Sequence, residues 1–158
     1  MRILAVCAGN ICRSPAAEAA IREAATEAGL EIEVDSAGTG SWHVGQPPHP
    51  EGIAAGARAG LHIDGRARKV TAVDFGRFDI ILAMDRANLR DLFDLAPTTE
   101  ARARTRLFRT YDPDAESDEV PDPWGGPVAG YDETVRIVRA AARGLVAEIG
   151  EQQARLAH

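Results

Sequence analysis

Residues 7–15 read Cys-Ala-Gly-Asn-Ile-Cys-Arg-Ser-Pro, which puts a thiol, a glycine-containing turn, a guanidinium and a helix-start signal into one short segment. That set of groups suits phosphate chemistry. Inward-turned backbone N–H groups of a tight loop form an anion nest, and a helix that follows adds the positive end of its dipole. The same field favours the thiolate of Cys7, the nucleophilic form of a cysteine. Arg13 offers a planar fork matched to two phosphate oxygens, where lysine would supply only a point charge. Cys7 is therefore the expected nucleophile and Arg13 the expected clamp, with Ala8, Gly9, Asn10, Ile11, Cys12 and Ser14 completing the cradle. The Cys-x5-Arg spacing carries little weight alone, and the surrounding elements decide whether it is a site.

Those elements read as alternating strands and helices. Residues 2–6 form an apolar run ended by turn residues, and residues 15–28 are rich in Ala and Glu. Ser14 is the expected N-cap of that helix, Pro15 suits its first turn, and Gly29 suits a left-handed C-terminal cap. A second strand is predicted over 31–34, a loop over 36–40, and a helix over 51–61 after the proline-rich break at 47–50. Residues 78–84 are almost continuously apolar, as in a strand buried on both faces, and 86–95 have helical periodicity. Residues 106–109 give a weaker fourth strand. The segment 111–130 is a long polar loop rich in Asp, Pro and Gly, and loops of that length are commonly functional. From residue 131 to about 156, Val135, Val138, Ala142, Leu145 and Ile149 recur on one helix face. The expected fold is α/β, a three-layer sandwich with a central four-stranded parallel sheet flanked by helices and a phosphate-binding loop after the first strand, in one domain over 1–158. Ligands of such sheets bind beyond the carboxyl ends of the strands, where Cys7 falls.

Composition narrows the class. A formal net charge of -6 argues against a nucleic-acid binder, which needs many cations to neutralise backbone phosphates. No run approaches the roughly 20 apolar residues of a membrane span, and residues 3–6 are too short for a signal-peptide core. The two cysteines lie too close together to frame a secreted disulfide scaffold, so a cytoplasmic location is expected. His43, His49, His62 and His158 show no ligand spacing, so neither a metal nor another cofactor is expected; His43 reads as structural near the pocket. Arg102, Arg104, Arg106 and Arg109 read as a solvated charged face.

The run 7–15, followed in order by Ser36-Ala-Gly-Thr39, Trp42-His-Val-Gly45, Ala67-Arg-Lys69, Asp74-Phe75, residues 78–85 and Asp122-Pro-Trp124, resembles the low-molecular-weight protein tyrosine phosphatase family over nearly the whole chain. The resemblance implies a role for each matched residue. Asn10 holds a strained loop conformation and Ser14 hydrogen-bonds the thiolate of Cys7. Asp122 protonates the leaving oxygen and later deprotonates the attacking water, in a metal-independent cycle through phosphocysteine. Cys12 forms a reversible disulfide with Cys7 that shields it from irreversible oxidation. Ile11, Trp42 and Trp124 line a pocket deep enough for a phosphorylated phenol ring and too deep for phosphoserine. The implied partner is a phosphotyrosine-containing protein, such as a bacterial tyrosine kinase or its targets, met by a monomer or weak dimer.

Two departures divide the resemblance. Asp122-Pro-Trp-Gly-Gly126 is similar to the bacterial protein arginine phosphatase branch. Ile11 is similar to the tyrosine-specific branch, where the arginine branch carries threonine. A threonine hydroxyl can serve a polar substrate or a water and an isoleucine cannot, so phosphotyrosine is the expected substrate and phosphoarginine the alternative. A non-catalytic phospho-binding module is a third reading, set against the presence of both Cys7 and Asp122. The related arsenate reductases need further cysteines downstream, and none follows Cys12.

Overall fold

In the computed structural model, which describes residues 1–157 and leaves His158 outside, the apolar run after Arg2 becomes strand β1 (Arg2–Cys7), with Ile3, Leu4, Ala5 and Val6 fully buried. Three more strands join it, β2 (Glu33–Gly38), β3 (Ile80–Ala83) and β4 (Thr105–Leu107), all parallel and in the order β2-β1-β3-β4. Alternation along β1 sends Ile3, Ala5 and Cys7 to one core and Leu4 and Val6 to another. The first core packs under α1 (Arg13–Ala28), α2 (Pro50–Arg58) and α5 (Val128–Leu156), and the second under α3 (Arg86–Leu95) and α4 (Thr99–Ala103). Helices thus cover both faces of a four-stranded parallel sheet, as expected. The chain leaves β1 for β2 on one side and reaches β3 on the other, so the carboxyl end of β1 is the topological switch point where such sheets bind ligands.

Several boundaries differ from the sequence-based expectation, each for a tertiary reason. Strand β2 starts at Glu33 and runs to Gly38, so residues 36–38 are not loop. Ser36, Ala37 and Gly38 pair with Ala5, Val6 and Cys7, and this ladder overrides the Ser and Gly turn signals. Strand β4 is Thr105–Leu107, and Phe108–Tyr111 closes into a 3₁₀ turn instead of extending the strand to residue 109. Helix α2 stops at Arg58, where Gly60 takes a left-handed φ of 73°, and α5 begins three residues early, behind Pro127. Helix α1 begins at Arg13 with Cys12 at its N-cap, so Ser14 lies inside the helix; Gly29 does cap its end at φ 68°. Helix α4 and the 3₁₀ turn Ala72–Gly76 were not anticipated.

The arginine run is a solvated face only in part, since Arg102 and Arg106 are exposed while Arg104 is half-buried and Arg109 buried. Arg102 donates to Phe93 O, Arg104 to Phe75 O and Phe78 O, Arg106 to Tyr111 Oη, and buried Arg109 to Glu119 O. Arg104 ties the start of β4 to the Phe75 and Phe78 carbonyls of the second core, and Arg109 holds the long loop at Glu119. No helix among the described residues is long and apolar enough to cross a membrane.

Helix α5 packs most closely at Gly144, where an added Cβ would lie 1.9 Å from Tyr111 O. Gly144→Ala gains about 1 kcal/mol of helix propensity but forces α5 off rigid backbone, and we expect a net loss of about 1–3 kcal/mol. Gly150, on the same helix, would place a Cβ 3.5 Å from the flexible Leu30 Cδ1, so Gly150→Ala should stabilise by about 0.4–1 kcal/mol. Urea unfolding of both variants checks the opposite signs.

Candidate active site

Cys7 ends β1, and five residues later the chain enters α1. To turn that tightly, Asn10 adopts φ 58°, the left-handed region that asparagine tolerates better than most residues. Three side-chain bonds hold it there. Its Oδ1 accepts from Arg68 N at 3.0 Å, and its Nδ2 donates to Ser14 Oγ at 2.8 Å and to Ser36 Oγ at 3.0 Å. Arg68 is itself held by Asp35 and by a two-bond contact with buried Asp74. Gly38 must lack a side chain here, because a Cβ would lie 2.7 Å from Ala8 O.

This arrangement directs protons toward Cys7. The backbone N–H of Arg68 can only donate, so the oxygen of Asn10 faces it and the amide nitrogen faces Ser14. Ser14 Oγ therefore accepts from Asn10, and its own proton can go to Cys7 Sγ, 3.0 Å away. Asn10 N donates to the same sulfur at 3.2 Å. Both contacts place a hydrogen-bonding group within reach of the sulfur. The N-cap position makes no side-chain hydrogen bond, so the first N–H groups of α1 remain open to an anion. Ser14 is thus a partner of the sulfur and not the helix cap.

Arg13 is 3% exposed. Its Nη1 donates to Asp85 Oδ2 at 2.6 Å and to Val120 O at 3.1 Å, Nη2 lies 3.8 Å from Asp122 Oδ2, and Nε has no protein partner. The Nη1 side is occupied, which leaves the parallel Nε–H and Nη2–H edge for two oxygens of a ligand. Burial opposes the cation, but the hydrogen bond to Asp85 and the negative charge of Cys7, Asp85 and Asp122 outweigh it and raise its pKa further. Cys12 is held in its neutral form, since burial first, then Cys7 and Asp122, push its thiol up to about 12.

A cavity of about 180 Å³ opens over these groups. Buried Cys7, Ile11, Cys12 and Arg13 form its base, and Trp42, His43, Asp122 and Trp124 stand around it. Of the residues expected at the site, Cys7, Ala8, Gly9, Ile11, Cys12, Arg13, Trp42, Asp122 and Trp124 line this cavity, whereas Asn10 and Ser14 are buried beside Cys7 and do not line it. Neighbouring carboxylates point to other partners: Asp112 accepts from Asp114 N and Asp118 pairs with Arg86 in the long loop, and Asp132, on α5, pairs with Arg58. Asp122 Oδ1 accepts from Trp124 N at 3.1 Å, a local turn that couples the acid to the wall.

His43 sits beside Gly9, where a Cβ would come within 3.0 Å of its Cδ2, and Nδ1 is 2.9 Å from Gln46 Oε1. His49 caps α2, stacks on Tyr131 and, through its backbone N–H, binds Ile11 O. His62 pairs with Asp64 away from the cavity. Asp85, Arg68, Asp74, Ser36 and His49 were not singled out from the sequence as site residues. Asp85 alone carried a local signal, an acidic residue directly after a buried strand and before a helix.

A family model described as low molecular weight phosphotyrosine protein phosphatase matches residues 2–155. A low molecular weight protein-tyrosine-phosphatase of Streptomyces coelicolor is 44% identical, the match covering 96% of this chain and 94% of that one. The crystal structure of a protein tyrosine phosphatase from Entamoeba histolytica, with Hepes in its active site, superposes with a TM-score of 0.93 at 34% identity over 97% of this chain and 99% of that one. The YwlE arginine phosphatase, in a mutant with a phosphorylated active-site serine, superposes with a TM-score of 0.84 at 25% identity over 95% and 96% of the two chains.

With its pKa near 12, Cys12 keeps its proton throughout the neutral range, and only a thiolate reacts readily with an electrophile. Iodoacetamide at neutral pH should therefore label one cysteine per native chain. Mass spectrometry should find the label on Cys7, lost in Cys7→Ser and retained in Cys12→Ser; labelling of Cys12 in the native wild type would contradict the assignment.

Proposed function

The chain belongs to the low molecular weight phosphotyrosine protein phosphatase family and is a protein-tyrosine phosphatase; we propose that it hydrolyses phosphotyrosine through a covalent phosphate on Cys7. The observation that carries this reading is the free Nε and Nη2 edge of Arg13 beside a sulfur within hydrogen-bond distance of Ser14 Oγ and Asn10 N, in one cavity with Asp122.

In the first half-reaction the thiolate of Cys7 attacks phosphorus and forms an S–P bond. The P–O bond to the phenol breaks, and the leaving oxygen takes the proton of Asp122. Arg13 and the open N–H groups of the loop hold the equatorial oxygens as charge builds on them. In the second half, Asp122 removes a proton from water, which attacks phosphorus, and the S–P bond breaks to release inorganic phosphate. Ser14 and Asn10 N stabilise the sulfur when it departs as thiolate.

Phosphoarginine is the second reading. It draws on the Trp124-Gly125-Gly126 sequence and on the likeness to YwlE. Against it stands Ile11, an apolar side chain in the cavity base that offers a polar guanidinium no partner. We further assign the protein to the reducing cytoplasm, acting as a monomer or weak dimer on a tyrosine kinase or its targets. Cys12 would condense with a sulfenic acid at Cys7, with loss of water, to give a disulfide after peroxide exposure.

Steady-state hydrolysis of matched phosphotyrosine and phosphoarginine peptides without added metal tests the assignment. Phosphotyrosine should win by tenfold or more in kcat/KM, about 1.4 kcal/mol in transition-state binding. Cys7→Ser should abolish turnover, and Arg13→Lys should lower kcat about 10²–10³-fold, as loss of a transition-state donor does. A preference for phosphoarginine would transfer the assignment to the second reading, and turnover that survives in Cys7→Ser would remove the covalent route.

A further inference from the structure

The mouth of the cavity contains a contact that the reaction itself does not use. Trp42 is 71% exposed, yet one edge of its indole rests against the backbone of Gly40. A Cβ at Gly40 would fall 2.0 Å from Trp42 Cζ3 and 2.4 Å from both Cε3 and Cη2, far inside the 3.0 Å that real Cβ contacts respect. The φ of Gly40 lies outside the left-handed region, so no positive φ demands a glycine there. The three nearest atoms that a side chain there would meet all belong to the indole.

Gly40 is itself pinned to the phosphate loop. Its N–H donates to Ala8 O at 2.9 Å, and Thr39 N donates to Cys7 O at 2.9 Å, which carries the β1–β2 pairing two residues beyond the strands. The surface on which the indole rests is thus held at a fixed place relative to the sulfur. An exposed indole without such a seat would sample several rotamers, and a ligand stacking on it would have to freeze them at an entropic cost.

We propose that Gly40 is a positioning residue for substrate choice. By leaving room for the Trp42 indole against backbone tied to Cys7 and Ala8, it fixes the aromatic wall and so favours aryl over alkyl phosphates. The inference rests on the phosphatase reading above. A side chain at Gly40 meets the far end of an exposed, hinged group, so the indole swings out and the fold is spared. The wall is what is lost.

Calorimetric binding of benzylphosphonate, butylphosphonate and inorganic phosphate to the full chain tests this without turnover. Gly40→Ala should weaken benzylphosphonate about tenfold while the other two change by less than roughly twofold, within the size of aromatic contacts. Trp42→Ala should give the same selective loss, and adding Gly40→Ala to it should do nothing more. The proposal is overturned by an equal loss for all three ligands, by a loss that persists on the Trp42→Ala background, or by no loss. An unchanged benzyl-to-butyl ratio in Trp42→Ala overturns it too, however Gly40→Ala behaves. A wild type that shows the expected selectivity but hydrolyses no phosphotyrosine peptide supports the wall and sinks the phosphatase reading.

Discussion

The left-handed turn at Asn10 lets a buried strand reverse into a helix within five residues while its N–H groups face inward. A non-glycine residue in that region costs on the order of 1–3 kcal/mol and persists only where its surroundings over-determine it. Here the determinants come from four parts of the chain. Ser14 lies on α1, Ser36 on β2, Arg68 in the segment that bridges to the sheet edge at Gly38, and Asp74 in a capped 3₁₀ turn that holds Arg68. Because the Asn10 amide is oriented by a backbone donor, Ser14 Oγ accepts from it and keeps its own proton for Cys7 Sγ or Ala37 O. Strain in the loop and the surroundings of the sulfur thus share one set of hydrogen bonds.

A second constraint fixes Arg13. Burying a guanidinium costs several kcal/mol unless it is paired and hydrogen-bonded. Asp85 meets that cost with one oxygen, while its other oxygen accepts from Asn88 N at 2.7 Å and caps α3. One carboxylate at the end of β3 therefore sets both the start of a helix and the rotation of the clamp. Val120 O, on the same nitrogen of Arg13, brings in the loop that carries Asp122, and buried Arg109 holds the neighbouring Glu119 O. The acid is positioned by backbone carbonyls that arginines hold, which is why an otherwise polar loop can sit still on the sheet.

The rim obeys a different rule. Trp42 and Trp124 are exposed, so burial does not place them. Trp42 is placed by the missing side chain at Gly40, and Trp124 by the local turn in which its N–H meets Asp122. Rigid base and hinged walls suit a pocket that must hold one phosphate geometry and admit a bulky group behind it.

Much of this was legible in the amino-acid order. The apolar runs at residues 2–6 and 78–84, the helical periods and Gly29 set the α/β alternation, because both faces of a parallel sheet are covered and its strands must be apolar throughout. The Cys-x5-Arg segment between strand and helix marked the site, because its chemistry is local. Resemblance located Asp122 in a loop crowded with carboxylates. The tertiary structure alone decided the rest. Residues 36–38 became strand because β1 offered them a partner, and Ser14 gave up the cap because the sulfur lay within reach. Arg68 and Asp85 entered the site from 58 and 72 residues away from the loop residues they bind, and Asp74 acts through Arg68. Apart from the strand-to-helix position of Asp85, no local pattern announces such partners, since a hydrogen bond across the fold depends on where packing brings two groups and not on what stands beside them in the chain.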